Sequence, residues 1–285
     1  MLKLSIAALA LCLLGCESHG GADNRYVTPP DTGTPVPPPV YTPPGPTAEA
    51  GGCSNLAALS VDGKSVCAIL STFGTPQEDY AFQSEVNIQA SWWNYSVRSV
   101  WMIKECAGIN AFSTSDHDIA FGTNAYHQVR SRYGTMVGVQ LILAHEWAHQ
   151  VQFGERFFVP QVPVRVTELE ADMFAGFYLS WARQFNYSQL AQALDLLHSL
   201  GSEAYLNKDF HGTPPERKYM GLLGYATAEN YKPTGSPPSW VELHNIARRE
   251  IGHMPLTILN GEEGVSDEQI LDAARRAVTG WASFR

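Results

Sequence analysis

His145, Glu146 and His149 stand in the run His145-Glu146-Trp147-Ala148-His149, which fits the pattern H-E-x-x-H. On a helix the two histidines fall one turn apart on the same face, so both imidazoles reach one metal ion. Glu146 follows the first histidine and can take a proton from a water held on that ion. This is the signature of a zinc hydrolase site with its own general base. The surrounding run YGTMVGVQLILAHEWAHQVQFG, residues 133–154, sets Val139, Ile142, Leu143 and Trp147 at helical spacing. Gly154 is a natural stop. The alternative is a buried helix whose two histidines and glutamate are core residues, which would be costly without a shared partner.

A catalytic zinc usually takes three protein ligands and leaves one position for water. The third ligand is expected in Glu168-Leu169-Glu170-Ala171-Asp172, which opens the apolar stretch VTELEADMFAGFYLSWARQF. Glu168 and Asp172, at i and i+4, share a helix face. Glu168 is placed on the metal, and Asp172 on the far nitrogen of a ligand histidine. Glu170 points elsewhere, to solvent or a salt bridge. An acidic first turn favoured by the helix dipole also explains carboxylates here, but not their pairing with HEWAH. Downstream, His211-Gly212-Thr213-Pro214-Pro215-Glu216-Arg217 turns into another helical run. His211 can stabilise the oxyanion formed when a peptide carbonyl is attacked, and Arg217 can hold a carboxylate near the site. The same residues read equally well as a surface loop before a helix.

The blocks HEWAHQVQ, ELEADMFAG and HGTPPER resemble, in order, three blocks of the bacterial neutral zinc metallopeptidases, approximately HE-x-GHH-x-Q, EL-x-AD-x-x-AG and HGT-x-x-x-R. Asn110-Ala111-Phe112 followed by Ile119-Ala120-Phe121-Gly122 is similar to the edge strand of prenyl-protease-type gluzincins. The resemblance covers Asn110 to Tyr225. It implies a zincin-like gluzincin with His145, His149 and Glu168 as zinc ligands, Glu146 as catalytic base and Asp172 supporting a ligand; His211 and Arg217 carry over with it. Trp147-Ala148 and Gln150 depart from the family's small glycine and extra histidine. Gly201-Ser202-Glu203 stands where that family often has more acids.

The elements that must position these residues read as α+β: a small sheet, a mostly helical bundle and a cleft between them. Thr75-Pro76-Gln77-Glu78 is a capping box opening a helix toward Trp93. Val97 to Lys104 and Asp118 to Phe121 read as short strands. From Tyr133 the periodicity predicts helices near 134–153, 166–186, 188–200, 214–230, 239–251 and 266–279. Ile119 to Thr123 is the expected exposed edge strand, able to add an extended substrate to the sheet. The Pro- and Gly-rich segment 231–239 is a candidate cover for the cleft. His117, between Asp116 and Asp118, reads as a polar turn, with a second metal site as the alternative. His127, His198, His244 and His253 lack ligand spacing and are taken as structural. Trp92, Trp93, Phe177, Tyr178 and Trp181 are taken as core.

The ends of the 285-residue chain carry targeting signals. Residues 1–15 form a signal peptide: Lys3 is a positive start, and the apolar run Leu4 to Leu14 is too short to span a bilayer. Leu13-Leu14-Gly15-Cys16 resembles a bacterial lipobox, with lipid on Cys16 holding the chain on a membrane surface. Residues 16–52 then form a tether, whose TPPDTGTPVPPPVYTPPGPT favours extended polyproline II. Residues 53–285 form one metallopeptidase domain. Cys53, Cys67 and Cys106 allow at most one internal disulfide among them. Cys53–Cys67 is expected, with Cys67–Cys106 open. The net charge of −9 and the absence of a basic run longer than two residues exclude an electrostatic footprint for nucleic acid.

The expected protein is a lipid-anchored zinc endopeptidase of the bacterial cell envelope, facing the periplasm or exterior and hydrolysing exported or envelope proteins and peptides. An envelope assembly or client-holding factor with a latent peptidase fold is the alternative, and a zinc amidase on a non-protein amide is a third.

Overall fold

A computed structural model describes residues 66–95, 97–105, 111–158, 162–200, 211–259 and 265–282. The expected signal peptide, the tether, Cys16, Cys53, Cys106 and the 201–203 segment lie outside these residues. Cys67 is disulfide-bonded, and each of its expected partners, Cys53 and Cys106, lies outside them too.

The described chain is α+β, as its periodicities predict. Four strands form one mixed sheet in the order β1-β2-β4-β3. They are β1 (Val66–Leu70), β2 (Ser99–Glu105), β3 (Ala111–Ser113) and β4 (Asp118–Gly122). β1 runs antiparallel to β2, with Leu70 opposite Met102. β2 runs parallel to β4, from Ser99 opposite Asp118 to Ile103 opposite Gly122. β3 runs antiparallel to β4, with Ser113 opposite Ile119.

This order corrects the expected edge strand. Residues Ile119 to Gly122 lie in β4, between two neighbours, and all five residues of β4 are buried. An apolar run with no polar alternation is what a strand covered on both faces requires. The edge on that side is β3. Thr123 is no strand residue at all: it opens α2 (Thr123–Tyr133), a helix the sequence did not announce. Gly122 caps that helix without a side-chain hydrogen bond. Glu105, at the end of β2, accepts instead from the backbone N–H of Asn124 and of Ala125, each at 3.0 Å. A carboxylate at a helix N-terminus satisfies orphan donors and complements the dipole.

The other main helices are α1 (Pro76–Trp93), α3 (Val137–Gly154), α4 (Val164–Trp181), α5 (Tyr187–Leu200), α6 (Pro214–Tyr231), α7 (Trp240–His253), the single turn α8 (Leu256–Leu259) and α9 (Asp267–Ala282). Complete capping boxes start α1 at Thr75–Glu78 and α6 at Thr213–Glu216, each with proline directly after the capping threonine. None of the described helices is long and apolar enough to cross a membrane.

α3, α4 and α6 form the centre. Trp147, Phe174, Phe177, Tyr178 and Tyr219 are all essentially inaccessible. Trp93 stacks on Tyr178 and Trp240, Trp92 packs edge-on against Trp93, and Phe177 stacks on Trp181. These aromatics are core, as their spacing predicts. A buried polar knot joins α1, α3 and α4: Glu85 accepts from Gln89, Gln140 and Tyr178 at 3.1, 2.9 and 2.7 Å.

α4 and α6 run side by side in the same direction and touch backbone to backbone. A Cβ on Gly176 would lie 2.0 Å from the Gly221 carbonyl oxygen, and one on Gly224 would lie 2.0 Å from the Met173 carbonyl oxygen. Only glycine permits this approach.

Candidate metal centre

The sequence-predicted residues come from four short stretches. α3 carries His145, Glu146 and His149, α4 carries Glu168 and Asp172, α6 carries Arg217, and the loop before α6 carries His211. α3 and α4 are antiparallel here, so residues later on one face residues earlier on the other. His149 Nε2 lies 3.4 Å from a Glu168 oxygen, and His145 Nε2 lies 3.3 Å from the other. The two Nε2 atoms are 3.1 Å apart. One ligand atom from each of His145, His149 and Glu168 falls within 4.8 Å of the others, and this group can hold a metal ion.

The far side of each ring is engaged. His145 Nδ1 is 2.9 Å from Asp172 Oδ1, and Arg217 grips the same carboxylate through Nε at 2.7 Å and Nη2 at 2.8 Å. His149 Nδ1 is 2.7 Å from Gln152 Oε1, and Gln152 Nε2 donates to the Thr167 carbonyl at 2.9 Å. Both rings therefore have partners at Nδ1, and both turn Nε2 toward Glu168.

The electrostatics follow from burial and crowding. Burial opposes a proton on His145, but hydrogen bonds to Asp172 and Glu168, with both carboxylate charges, overcome it and push the imidazole up to about 10. Burial likewise disfavours charge on His149, and Glu168 beside it raises it. Burial would raise Glu168, yet the His149 charge and hydrogen bonds from His145, His149 and His211 hold it well below the usual carboxylate range. Asp172 is lowered against its burial by Arg217 and then by His145. Glu146 goes the other way: burial pushes its carboxyl up, and the nearby His145 and His149 charges only partly oppose this.

His211 stands beside the cluster, with Nδ1 3.0 Å from a Glu168 oxygen and its side chain 47% exposed. The loop turns on Gly212, whose φ of +100° suits glycine. The α6 capping box is tied to α4 as well, because Arg165 reaches Glu216 through both Nε and Nη2.

Glu170 does point away from the cluster, but not to solvent. It is fully buried and accepts from His244 at 2.8 Å and Arg248 Nε at 2.9 Å, both on α7. The solvent reading is corrected. A salt bridge, in which a buried carboxylate must find cations, is what the helix provides. The partners lie far along the chain, so spacing could not name them. His244 also stacks on Phe157. His127 and His253 face backbone carbonyls, at 2.7 and 2.8 Å. His117 sits at φ 65° in the turn between β3 and β4, and the described residues offer no metal-binding group there.

The expected cover, segment 231–239, leaves α6 at Tyr231, about 21 Å along the helix axis from Arg217 at ~1.5 Å per residue, and leads into α7, whose Trp240 stacks on Phe174 of α4.

Two residues near the site escaped the sequence reading. Gln152 closes the block HEWAHQVQ and lies at i+3 from His149, a spacing that could have drawn attention to it. Ser113, on β3, donates to the Glu146 backbone carbonyl at 2.6 Å, and nothing in the sequence marks it. Gln150, where the resembled family has a histidine, donates to the Thr114 and Asp118 carbonyls at 3.1 Å each, fastening α3 to the sheet.

No family of known proteins, no curated protein and no solved structure matches this chain.

Proposed function

We propose that this protein is a zinc-dependent endopeptidase with a zincin-like fold, held in the bacterial cell envelope by lipid on Cys16 and cutting exported or envelope proteins. One observation carries the reading: His145, His149 and Glu168 present ligand atoms within 4.8 Å of one another, while Asp172 and Gln152 occupy the far ring nitrogens. Two imidazoles and one carboxylate form a donor set suited to a catalytic zinc, with one coordination position left for water. When bound, zinc supplies Lewis acidity and lowers the pKa of a water toward about 7.

The chain's own residues supply the rest. Glu146 is buried, and its carboxyl is raised by burial against the two histidine charges. A carboxyl tuned upward both accepts a proton and returns it to a leaving amine. Glu168, held well below the usual range by its donors after they overcome burial, stays an anion and neutralises cationic charge. Asp172 and Arg217 fix the His145 ring. His211, half exposed beside Glu168, is the donor available to a developing oxyanion. β3 is joined to α3 through Ser113 and is a sheet edge among the described residues, the place where an extended peptide would add.

The test is digestion by the full-length chain, purified in detergent and loaded with zinc. It is offered an unfolded protein and a mixed peptide set, beside Glu146→Gln. Fragments made by the wild type and absent with Glu146→Gln, which keeps its zinc, support the reading. A zinc-loaded wild type that makes no cuts, or a variant that cuts equally well, overturns it.

A further inference from the structure

The two rings that face Glu168 are held by different chemistry. Behind His145 stands a carboxylate with an arginine behind it; behind His149 stands the neutral amide of Gln152. That amide is buried, and both of its ends are used: Oε1 faces His149 Nδ1 at 2.7 Å, and Nε2 donates to the Thr167 carbonyl at 2.9 Å.

The second contact settles the first. A backbone carbonyl only accepts, so the Gln152 NH2 must face Thr167. Turning the amide over would set two oxygens against each other there and bring an NH2 against a ring nitrogen. With Oε1 thus fixed toward His149, Nδ1 must carry the proton. A neutral His149 ring in this tautomer, the form that binds a metal, keeps its Nε2 lone pair on the side of Glu168. Thr167 is also the residue before Glu168. One amide therefore sets the tautomer of a ligand on α3 and ties that ligand to the backbone beside the carboxylate ligand on α4.

We propose that Gln152 is a positioning residue of the metal centre, acting through His149 by fixing its tautomer and locking α3 to α4 at the third ligand. The proposal rests on the metal-binding reading of His145, His149 and Glu168, but not on peptidase activity. Outer partners of ligand histidines are generally worth about 10–100-fold in metal affinity. The neutral amide orients the ring without adding a further negative charge to the two carboxylates already at the site.

The experiment is a competition titration of the full-length chain with Zn2+ against a chromogenic chelator, and with Co2+ read by its visible absorption. Gln152→Met keeps the side-chain volume and removes both hydrogen bonds; Gln152→Glu keeps an acceptor for Nδ1; Gln150→Met removes a buried glutamine of the same helix that touches no ligand. Gln152→Met is expected to bind Zn2+ about 10–100-fold more weakly than wild type, with an altered Co2+ spectrum. Gln152→Glu, which keeps the acceptor for Nδ1 but sets an oxygen against the Thr167 carbonyl, should recover only part of that loss, and Gln150→Met should match wild type in both readouts. Should Gln152→Met fail to fold, Gln152→Asn, too short to span both partners, takes its place with the same expectation. Wild-type affinity in the Met or Asn variant overturns the proposal, as does an equal loss in Gln150→Met or in Gln152→Glu. A wild type that binds neither metal overturns the metal-binding reading itself, a result distinct from either.

Discussion

Arg217→Met separates what holds the fold from what holds the metal. Asp172 is fully buried, with three donors: His145 Nδ1 and two nitrogens of Arg217. Removing the guanidinium leaves a buried carboxylate with the imidazole alone. Breaking a buried pair by deleting one partner costs about 3–5 kcal/mol. For a folded unit of this size each kcal/mol lowers the melting temperature by roughly 2–4 °C, so a fall of about 6–20 °C is expected. The assay is thermal unfolding by circular dichroism at pH 7 with metal removed, so that metal binding does not mask the loss. Burial would raise the Asp172 carboxyl, and Arg217 reverses that. A depressed carboxyl contributes stability above its unfolded value, near 3.8, which is lost as pH falls through the folded value. The gap between wild type and Arg217→Met must therefore be full at pH 7 and close in acid. Zn2+ affinity should change by only a few-fold, because Asp172 still accepts from His145, whereas Asp172→Leu should lose about 10–100-fold. The double variant should be no less stable than Arg217→Met alone, since an apolar pair leaves no buried charge. A melting temperature within about 1 °C of wild type in Arg217→Met, or a metal loss equal to that of Asp172→Leu, would refute the reasoning.

Other outcomes follow from the same contacts. Metal-free protein should lose stability as pH rises from about 6.5 toward 10: burial disfavours a proton on His145, Asp172 and Glu168 raise it to about 10, and a raised group stabilises only while protonated. Saturating Zn2+ should flatten that loss, and a flat metal-free profile refutes the account. Gly176→Ala sets a methyl 2.0 Å from the Gly221 carbonyl oxygen, which cannot rotate away. It should cost about 1–3 kcal/mol or more in urea unfolding and also weaken metal binding, because Asp172 lies one turn away. Tyr178→Phe removes the 2.7 Å donor to Glu85 and should cost about 1–3 kcal/mol without changing metal affinity; a changed affinity would show that the Glu85 knot reaches the site.

The site was more legible in the sequence than the sheet. His145 and His149 share a helix face by spacing alone, and Glu168 with Asp172 does the same, so periodicity was enough to group each pair. The capping box at Thr75 and the prolines Pro214 and Pro215 mark helix starts because every atom of each signal is local. What escaped depended on partners far along the chain. α2 begins at Thr123 with its first free N–H groups bound by Glu105 from another strand, so no motif precedes it. Burial on both faces removes the polar alternation from β4, so its sequence does not tell an inner strand from an edge. Spacing leaves Glu170 between solvent and a salt bridge because its partners, His244 and Arg248, come from α7. Gln152 lies within the block HEWAHQVQ, but its second contact, with Thr167, exists only once α3 and α4 pack.

The glycine seam between α4 and α6 has a bearing on how the molecule tolerates change. Where Gly176 meets the Gly221 carbonyl and Gly224 meets that of Met173, the spacing of the two helices is set by main-chain atoms, whose size no mutation alters. Larger or smaller side chains elsewhere along the pair can be absorbed as shifts in melting temperature while the span from Asp172 to Arg217 stays constant. Drift in the surrounding core is thereby decoupled from the metal group, and hydrostatic compression should find little to yield at this seam.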